Sequence, residues 1–236
     1  MNGQGAIRTA CSMATRELLG DLAKAWRAKS GAEIAVEPIA GVEAARRVRA
    51  GEAFDVVVLA DDVIAALELE GPVEAGSRVP VADAEMVVAV RTGTPYPDIA
   101  SEAALRGTIA AAATIGYSTG PSGNYLLQLF ERWGIAEAIR PRLVLAPPGV
   151  PVGKLIAEGG AALGFQQRSE LIDMPGVDIV GPLPAEVQLI TTFSAGLCAA
   201  SSRKEAGRAW LAFLASPEGD AARRQRGMAP SRRSVS

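Results

Sequence analysis

The chain of 236 residues carries 24 Lys+Arg against 26 Asp+Glu, no histidine, and 49% hydrophobic residues. That size supports one large core or two smaller ones without disulfides or metal, and the composition excludes disorder. The missing imidazole excludes Ser-His-Asp triads, Cys-His pairs and His-ligated metal, and a net charge of −2 excludes a general field drawing the molecule onto nucleic acid or an anionic membrane.

In chain order, residues 6–10 read as a short strand, followed by Ser12 and a helix over 13–29 in which Leu18, Leu19, Leu22, Ala23 and Trp26 recur at helical spacing. Residues 33–39 alternate like a strand, Gly41 breaks the run, 42–49 form a short helix, and 54–60 (FDVVVLA) read as a strand buried on both faces. A helix over 61–70 stops at Gly71. Strands alternating with helices call for a parallel sheet with right-handed crossovers.

A second series follows: strands over 85–91 and 114–117, a Gly-Pro-Ser-Gly turn, then a helix over 124–133 ended by Gly134. Strands over 142–146, 162–165 and 177–180 alternate with a helix over 151–158 and a helical turn over 168–172. A long apolar strand over 188–200 and helices over 204–215 and 217–226 complete the chain. No low-complexity linker separates the two series, so strands must cross between two α/β lobes. The crossing candidates are the segment into 85–91 and the strand 188–200.

In open parallel sheets, ligands bind at the carboxyl ends of strands, where helix N-termini offer free N–H groups and a positive dipole end. Four such places occur: Ser12; Ala40 with Gly41; Ser122, Gly123 and Asn124; and residues 149–153, which open the helix carrying Lys154. Each is also an ordinary cap or turn when taken singly. None carries the phosphate-loop or dinucleotide frame, so nucleotide binding is not expected. Gln166, Gln167, Arg168, Ser169 and Glu170 leave a strand end as a polar cluster able to orient a small ligand, or as a solvated helix start. Asp61 and Asp62 end the FDVVVLA strand, where N-capping competes with cation binding. Tyr117 and Tyr125 are wall or core. The basic excess of residues 201–236, with Arg223, Arg224, Arg226, Arg232 and Arg233, reads as a solvated C-terminus.

Ala10-Cys11-Ser12 after the first strand, the FDVVVLA strand, the turn before Asn124-Tyr125, Gly164-Phe165 with Arg168-Ser169, Pro182-Leu183-Pro184 and the run from Phe213 through Ser216-Pro217-Glu218-Gly219 occur in this order. This order resembles the molybdate-type extracellular solute-binding proteins. The resemblance implies a two-lobe, type II periplasmic-binding-protein-like α/β fold, each lobe a sheet flanked by helices, joined by two crossing strands. Lobe 1 is expected from residues 1–84 plus 188–236 and lobe 2 from 85–187. A small anion is then held between the lobes as they close, with no cofactor and no metal.

Carried onto this sequence, the implied ligand-binding set is Ser12, Ala40, Gly41, Tyr117, Ser122, Gly123, Asn124, Val150, Val152, Gln167 and Arg168. Two hydroxyl donors of the family are replaced, one at Ala40-Gly41-Val42 and one, a tyrosine, at the Gln166-Gln167 pair. An organic carboxylate is therefore expected in place of molybdate. The stretch Tyr117-Ser118-Thr119-Gly120-Pro121-Ser122-Gly123 is also similar to the branch that includes trans-aconitate isomerase. An isomerase acting on an unsaturated polycarboxylate is thus the alternative to a binding protein. Its base would come from Cys11, Tyr117, Glu170 or Asp61.

The start of the chain has neither the basic nor the apolar region of a signal peptide. A cytoplasmic location is expected if the chain is complete, and a periplasmic one, with an ABC transporter membrane component as partner, if an export signal has been removed. A monomer that binds no nucleic acid is expected in either case. Cys11 and Cys198 show no paired spacing.

Overall fold

The computed structural model describes residues 5–147 and 149–231. Arg232, Arg233 and the first four residues lie outside them. In chain order the elements are β1 (Ile7–Cys11), α1 (Arg16–Ser30), β2 (Ile34–Pro38), α2 (Gly41–Arg49), β3 (Val56–Ala60), α3 (Asp61–Glu70) and β4 (Val79–Arg91). Next come α4 (Glu102–Ala111), β5 (Ile115–Tyr117), α5 (Pro121–Arg132), α6 (Ala136–Ile139), β6 (Leu143–Leu145), α7 (Val152–Ala157) and β7 (Leu163–Gln167). The chain ends with α8 (Arg168–Leu171), β8 (Val177–Pro182), β9 (Ile190–Leu197), α9 (Lys204–Leu214), α10 (Asp220–Gln225) and β10 (Met228–Ala229).

The chain divides into two units, residues 5–83 with 192–231 and residues 84–191. It passes from one to the other at 83/84 and 191/192, against 84/85 and 187/188 expected from the sequence. In unit 1 the strand order is β2-β1-β3-β9; β1 is parallel to β2 and β3, and β9 runs antiparallel to β3. All five residues of β3 are buried because helices cover both of its faces. Val57 and Leu59 meet Ala44, Val48, Ile64 and Leu67 of α2 and α3. On α9, a Cβ at Gly207 would stand 2.5 Å from Leu197 and 3.8 Å from Val56, so glycine is what allows that helix its close approach. At the end of α3, Gly71 adopts φ 100°, a left-handed stop that a side chain would strain.

In unit 2 the order is β4-β7-β5-β6, with β8 also on β4; β5 is parallel to β6 and β7, while β4 is antiparallel to β7 and β8. Period-2 alternation splits β4 cleanly. Met86, Val88 and Val90 pack with α4 and α5, whereas Val87 and Ala89 pack with α7 and Leu171.

Several elements differ from expectation. The helix expected over 13–29 begins as a 3-10 turn (Met13–Thr15) before α1. α5 begins at Pro121, so Ser122 and Gly123 lie inside its first turn; proline is well suited there because a first-turn N–H has no intrahelical acceptor. α4 and α6 were not expected. Up to residue 231 the C-terminal segment is folded rather than a solvated tail. Arg223 is buried, donating from Nε to Val81 O at 2.6 Å, from Nη1 to Ser216 O at 3.0 Å and Asp220 Oδ1 at 2.7 Å, and from Nη2 to Leu214 O. Its positive charge is carried into the interior because carbonyls and one carboxylate surround it. Arg226 pairs with Asp21 of α1 at 2.7 Å.

Candidate functional site

The first turn of unit 1 follows β1. Ser12 is 9% exposed and donates its backbone N–H to Val58 O at 3.0 Å. Its carbonyl accepts from Thr15 Oγ1 at 3.1 Å, and the two hydroxyls lie 3.2 Å apart. Thr15 thus fixes the Ser12 rotamer, a role the Ser-x-x-Thr spacing could have signalled. What the turn can offer an anion is the Ser12 hydroxyl and the first N–H groups of the helical run, which have no intrahelical acceptor. Beside it, Cys11 is fully buried. Burial pushes its thiol from 9.0 up to about 12, outweighing the Thr15 hydrogen bond and the nearby Arg16 charge. It is a protonated thiol at neutral pH and a poor resting base.

The second turn opens α2 at Ala40 and Gly41, with no side-chain cap. A Cβ at Gly41 would find only Leu59 Cδ2, at 4.0 Å, so packing does not demand glycine there. Asp61 does not cap α3. Ala60 holds the cap position, and the Asp61 carboxylate is engaged by both oxygens with Arg78 Nη1 at 3.0 Å and by Oδ1 with Ser194 Oγ at 2.6 Å. Among the described residues, no three His, Cys, Asp or Glu side chains group as a metal site.

In unit 2 the turn between β5 and α5 is closed by backbone contact. A Cβ on Gly123 would stand 1.6 Å from Ser118 O, so this glycine serves the turn's own packing and leaves no space for a ligand to replace a side chain. Ser122 is buried (1% exposed), and Asn124 donates its N–H to Gly120 O at 3.1 Å. The contribution available to an anion is therefore first-turn amide rather than hydroxyl. Tyr117 is half-buried against the core of unit 2, and Tyr125 donates its hydroxyl to Val187 O at 3.0 Å, which makes it a structural residue.

The turn before α7 is less open than expected. Val150 donates to Pro147 O at 2.9 Å, and Val152 donates to Gln166 Oε1 at 2.8 Å. The Gln166 amide oxygen thus takes up the Val152 N–H, and its nitrogen donates to Glu170 Oε1 at 2.7 Å. Gln166 and Gln167 belong to β7 and are 2% and 1% exposed, so neither leaves the strand as a free polar group. In the amide orientation that satisfies every neighbour, Gln167 donates to Ala84 O at 3.2 Å and Glu85 O at 3.1 Å and accepts from Thr191 Oγ1 at 2.7 Å. Both amide hydrogens of Gln167 are then taken by backbone carbonyls. Arg168 opens α8 and pairs through Nε with Glu85 Oε1. Glu85 is a residue the sequence reading missed as part of a site, because it appeared only as the first position of a strand.

Chemically, unit 1 offers the Ser12 hydroxyl and amide donors at the starts of its first helical run and of α2, and unit 2 offers amide donors at the start of α5 and one guanidinium at Arg168. Such donors suit negative charge. Among the described residues, no helix is long and apolar enough to cross a membrane.

Residues 7–229 match the sequence profile of the bacterial extracellular solute-binding proteins. An aconitate isomerase of Pseudomonas sp is 37% identical over 185 residues, covering 78% of this chain and 70% of that protein. The periplasmic molybdate-binding protein of Azotobacter vinelandii superposes with a TM-score of 0.80 at 18% identity, covering 96% of this chain and 100% of that one. A tungstate-binding protein of Desulfovibrio alaskensis gives a TM-score of 0.68 at 17% identity, with 92% of each chain covered. At such identities the structural likeness establishes the type II periplasmic-binding fold and leaves ligand choice to the residues.

Proposed function

Because the chain belongs to the bacterial extracellular solute-binding proteins, we propose that it captures a small anion and that this anion is an organic carboxylate in preference to molybdate. The observation that carries the choice is a shortage of donors. The α2 turn has Ala40 and Gly41 where a hydroxyl would serve, and the Val152 N–H is already taken by Gln166 Oε1. A tetrahedral oxyanion held by neutral dipoles needs nearly every lone pair satisfied, and each missing donor weakens it. A carboxylate has two oxygens on one plane and suits a guanidinium such as Arg168. Ser12 with the first amides of its helical run, the α2 start, the Ser122-Gly123 turn and Arg168 are the proposed contacts.

Thermal-shift measurements with molybdate, tungstate, sulfate, citrate, cis-aconitate and trans-aconitate test this, since a ligand bound only by the native state raises Tm by mass action. A tricarboxylate is expected to give the largest shift; molybdate doing so overturns the choice. Ser12→Ala is expected to weaken carboxylate binding about tenfold, the worth of one hydrogen bond to a charged group, with Tm nearly unchanged. Unchanged affinity removes this turn from the site.

A second reading is favoured by the 37% identity to an aconitate isomerase. In it, a base takes a proton from the carbon beside one carboxylate, the electron pair shifts across the double bond, and the proton returns at the far carbon, so nothing is gained or lost. Amide donors and Arg168 stabilise the enolate-like charge. Among the candidate bases, Cys11 is disfavoured by its high thiol pKa, and Glu170, oriented by Gln166, is the better placed. Incubation with trans-aconitate and detection of the cis isomer by NMR decides between the readings. Delivery to the membrane component of an ABC transporter, in the periplasm and as a monomer, accompanies the binding reading if an export signal precedes this segment in its gene.

A further inference from the structure

We infer that Glu85 is a positioning residue: it grips Arg168 at Nε and so presents the Nη1–Nη2 edge of the guanidinium to one carboxylate of the ligand, an assignment that rests on the carboxylate-binding reading above. Three consecutive polar residues stand at the end of β7, Gln166 and Gln167 within the strand and Arg168 after it, and two are spent on the protein itself. Gln166 joins Val152 to Glu170, and Gln167 joins Thr191 to the backbone of residues 84 and 85.

Arg168 differs. Its Nε meets Glu85 Oε1, while among the described residues Nη1 and Nη2 have no protein partner. The side chain is only 26% exposed. Four N–H donors on a cation three-quarters withdrawn from water are costly to leave unpaired, which marks them as facing a ligand. The next residue adds an independent sign, for Ser169 Oγ is buried with no partner among the described residues. A guanidinium held at Nε keeps its two Nη groups side by side, the spacing that accepts both oxygens of a carboxylate.

This role makes a prediction opposite in sign to simple electrostatics. Glu85 carries negative charge close to where an anion binds, so if it acted as charge alone, removing it would tighten anion binding. As a positioning residue, its loss loosens Arg168 and weakens binding. The test is titration calorimetry with trans-aconitate, citrate and tricarballylate at fixed ionic strength, with Tm recorded for every variant. Arg168→Ala and Arg168→Lys are each expected to lose about 30-fold or more, since lysine supplies a point charge without the paired edge.

Glu85→Ala is expected to lose about tenfold, and Glu85→Gln, which keeps an acceptor for Nε, to stay within about threefold of the parent. Equal or tighter binding by Glu85→Ala overturns the positioning role, as does an Arg168→Ala variant with unchanged affinity. Should Glu85→Ala fail to fold, Arg168→Lys, which retains the ion pair with Glu85, decides: unchanged affinity there overturns the inference. A parent protein that binds none of the three carboxylates overturns the reading on which the inference rests, and is distinguished by that blank titration.

Discussion

Unit 1 and unit 2 use their buried polar groups in different ways. In unit 1 they staple segments remote in sequence. Asp55 accepts from the Arg8 amide at 2.9 Å and from Ser201 Oγ at 2.6 Å, and Arg223 gathers carbonyls from β4 and from the end of α9. Its first two turns are left plain: one hydroxyl with Thr15 as support, and a glycine with open space around it. In unit 2 the turns themselves are crowded, with Ser118 O pressed on Gly123 and three side chains tethered at the end of β7. A loop fixed by its own contacts keeps donors oriented before a ligand arrives, whereas a plain turn depends on the helix behind it. The difference teaches that similar strand–turn–helix grammar can carry preorganisation in different places.

Two glycines in helix first turns, Gly41 at the first position of α2 and Gly123 at the third of α5, put this contrast to its hardest test. Gly123→Ala drives a Cβ into a backbone carbonyl and is expected to cost about 4 kcal/mol or more, whereas Gly41→Ala should stay within about 0.5 kcal/mol. Urea unfolding of both variants measures the pair, and equal costs would erase the distinction between crowded and plain turns. Next in size is Arg223→Met, which strands three carbonyls and the Asp220 carboxylate; about 3 kcal/mol of destabilisation is expected, carried by unit 1. Hydrogen exchange that loosens α9 and α10 while leaving α5 protected would locate the loss as expected; uniform loosening would argue that the staple serves the whole chain.

The effect that is smallest per step of the measurement concerns alkaline pH. Cys11 and Cys198, both in unit 1, have thiols raised by burial from 9.0 to about 12. Between those values the unfolded chain releases a thiol proton that the folded chain keeps, so stability is full below pH 9 and falls as pH rises toward 12. Cys11→Ala should remove about 1.4 kcal/mol per pH unit of that slope. An unaltered slope in this variant would mean that Cys11 does not contribute.

The alternation of strand and helix was legible because buried runs such as FDVVVLA and stops such as Gly71 are local signals. α4 was missed although Ser101 caps it, accepting from the Ala104 amide at 3.1 Å, because its buried stripe is only Leu105 and Ile109. The long β4 was read only in its second half, since Pro80 and Asp83 interrupt the apolar pattern of its first. Arg223 was read as solvated because charge alone carries no information about the carbonyls that the fold brings around it. At the candidate site, the sequence located the turns at Ser12 and Ser122 but not the state of their donors. That Gln166 occupies the Val152 amide, or that Glu85 meets Arg168 across 83 positions of chain, depends on strand pairing that no local pattern encodes.

Unit 1 is assembled from two separate stretches, residues 5–83 and 192–231, with unit 2 contained between them. A ribosome therefore releases all of unit 2 before Trp210, Arg223 or β9's latter half exists, and the amino-terminal β1, β2 and β3 must wait for them. During synthesis the central segment can reach its native state first, while β1, β2 and β3 remain open to chaperones until residues 192–231 emerge.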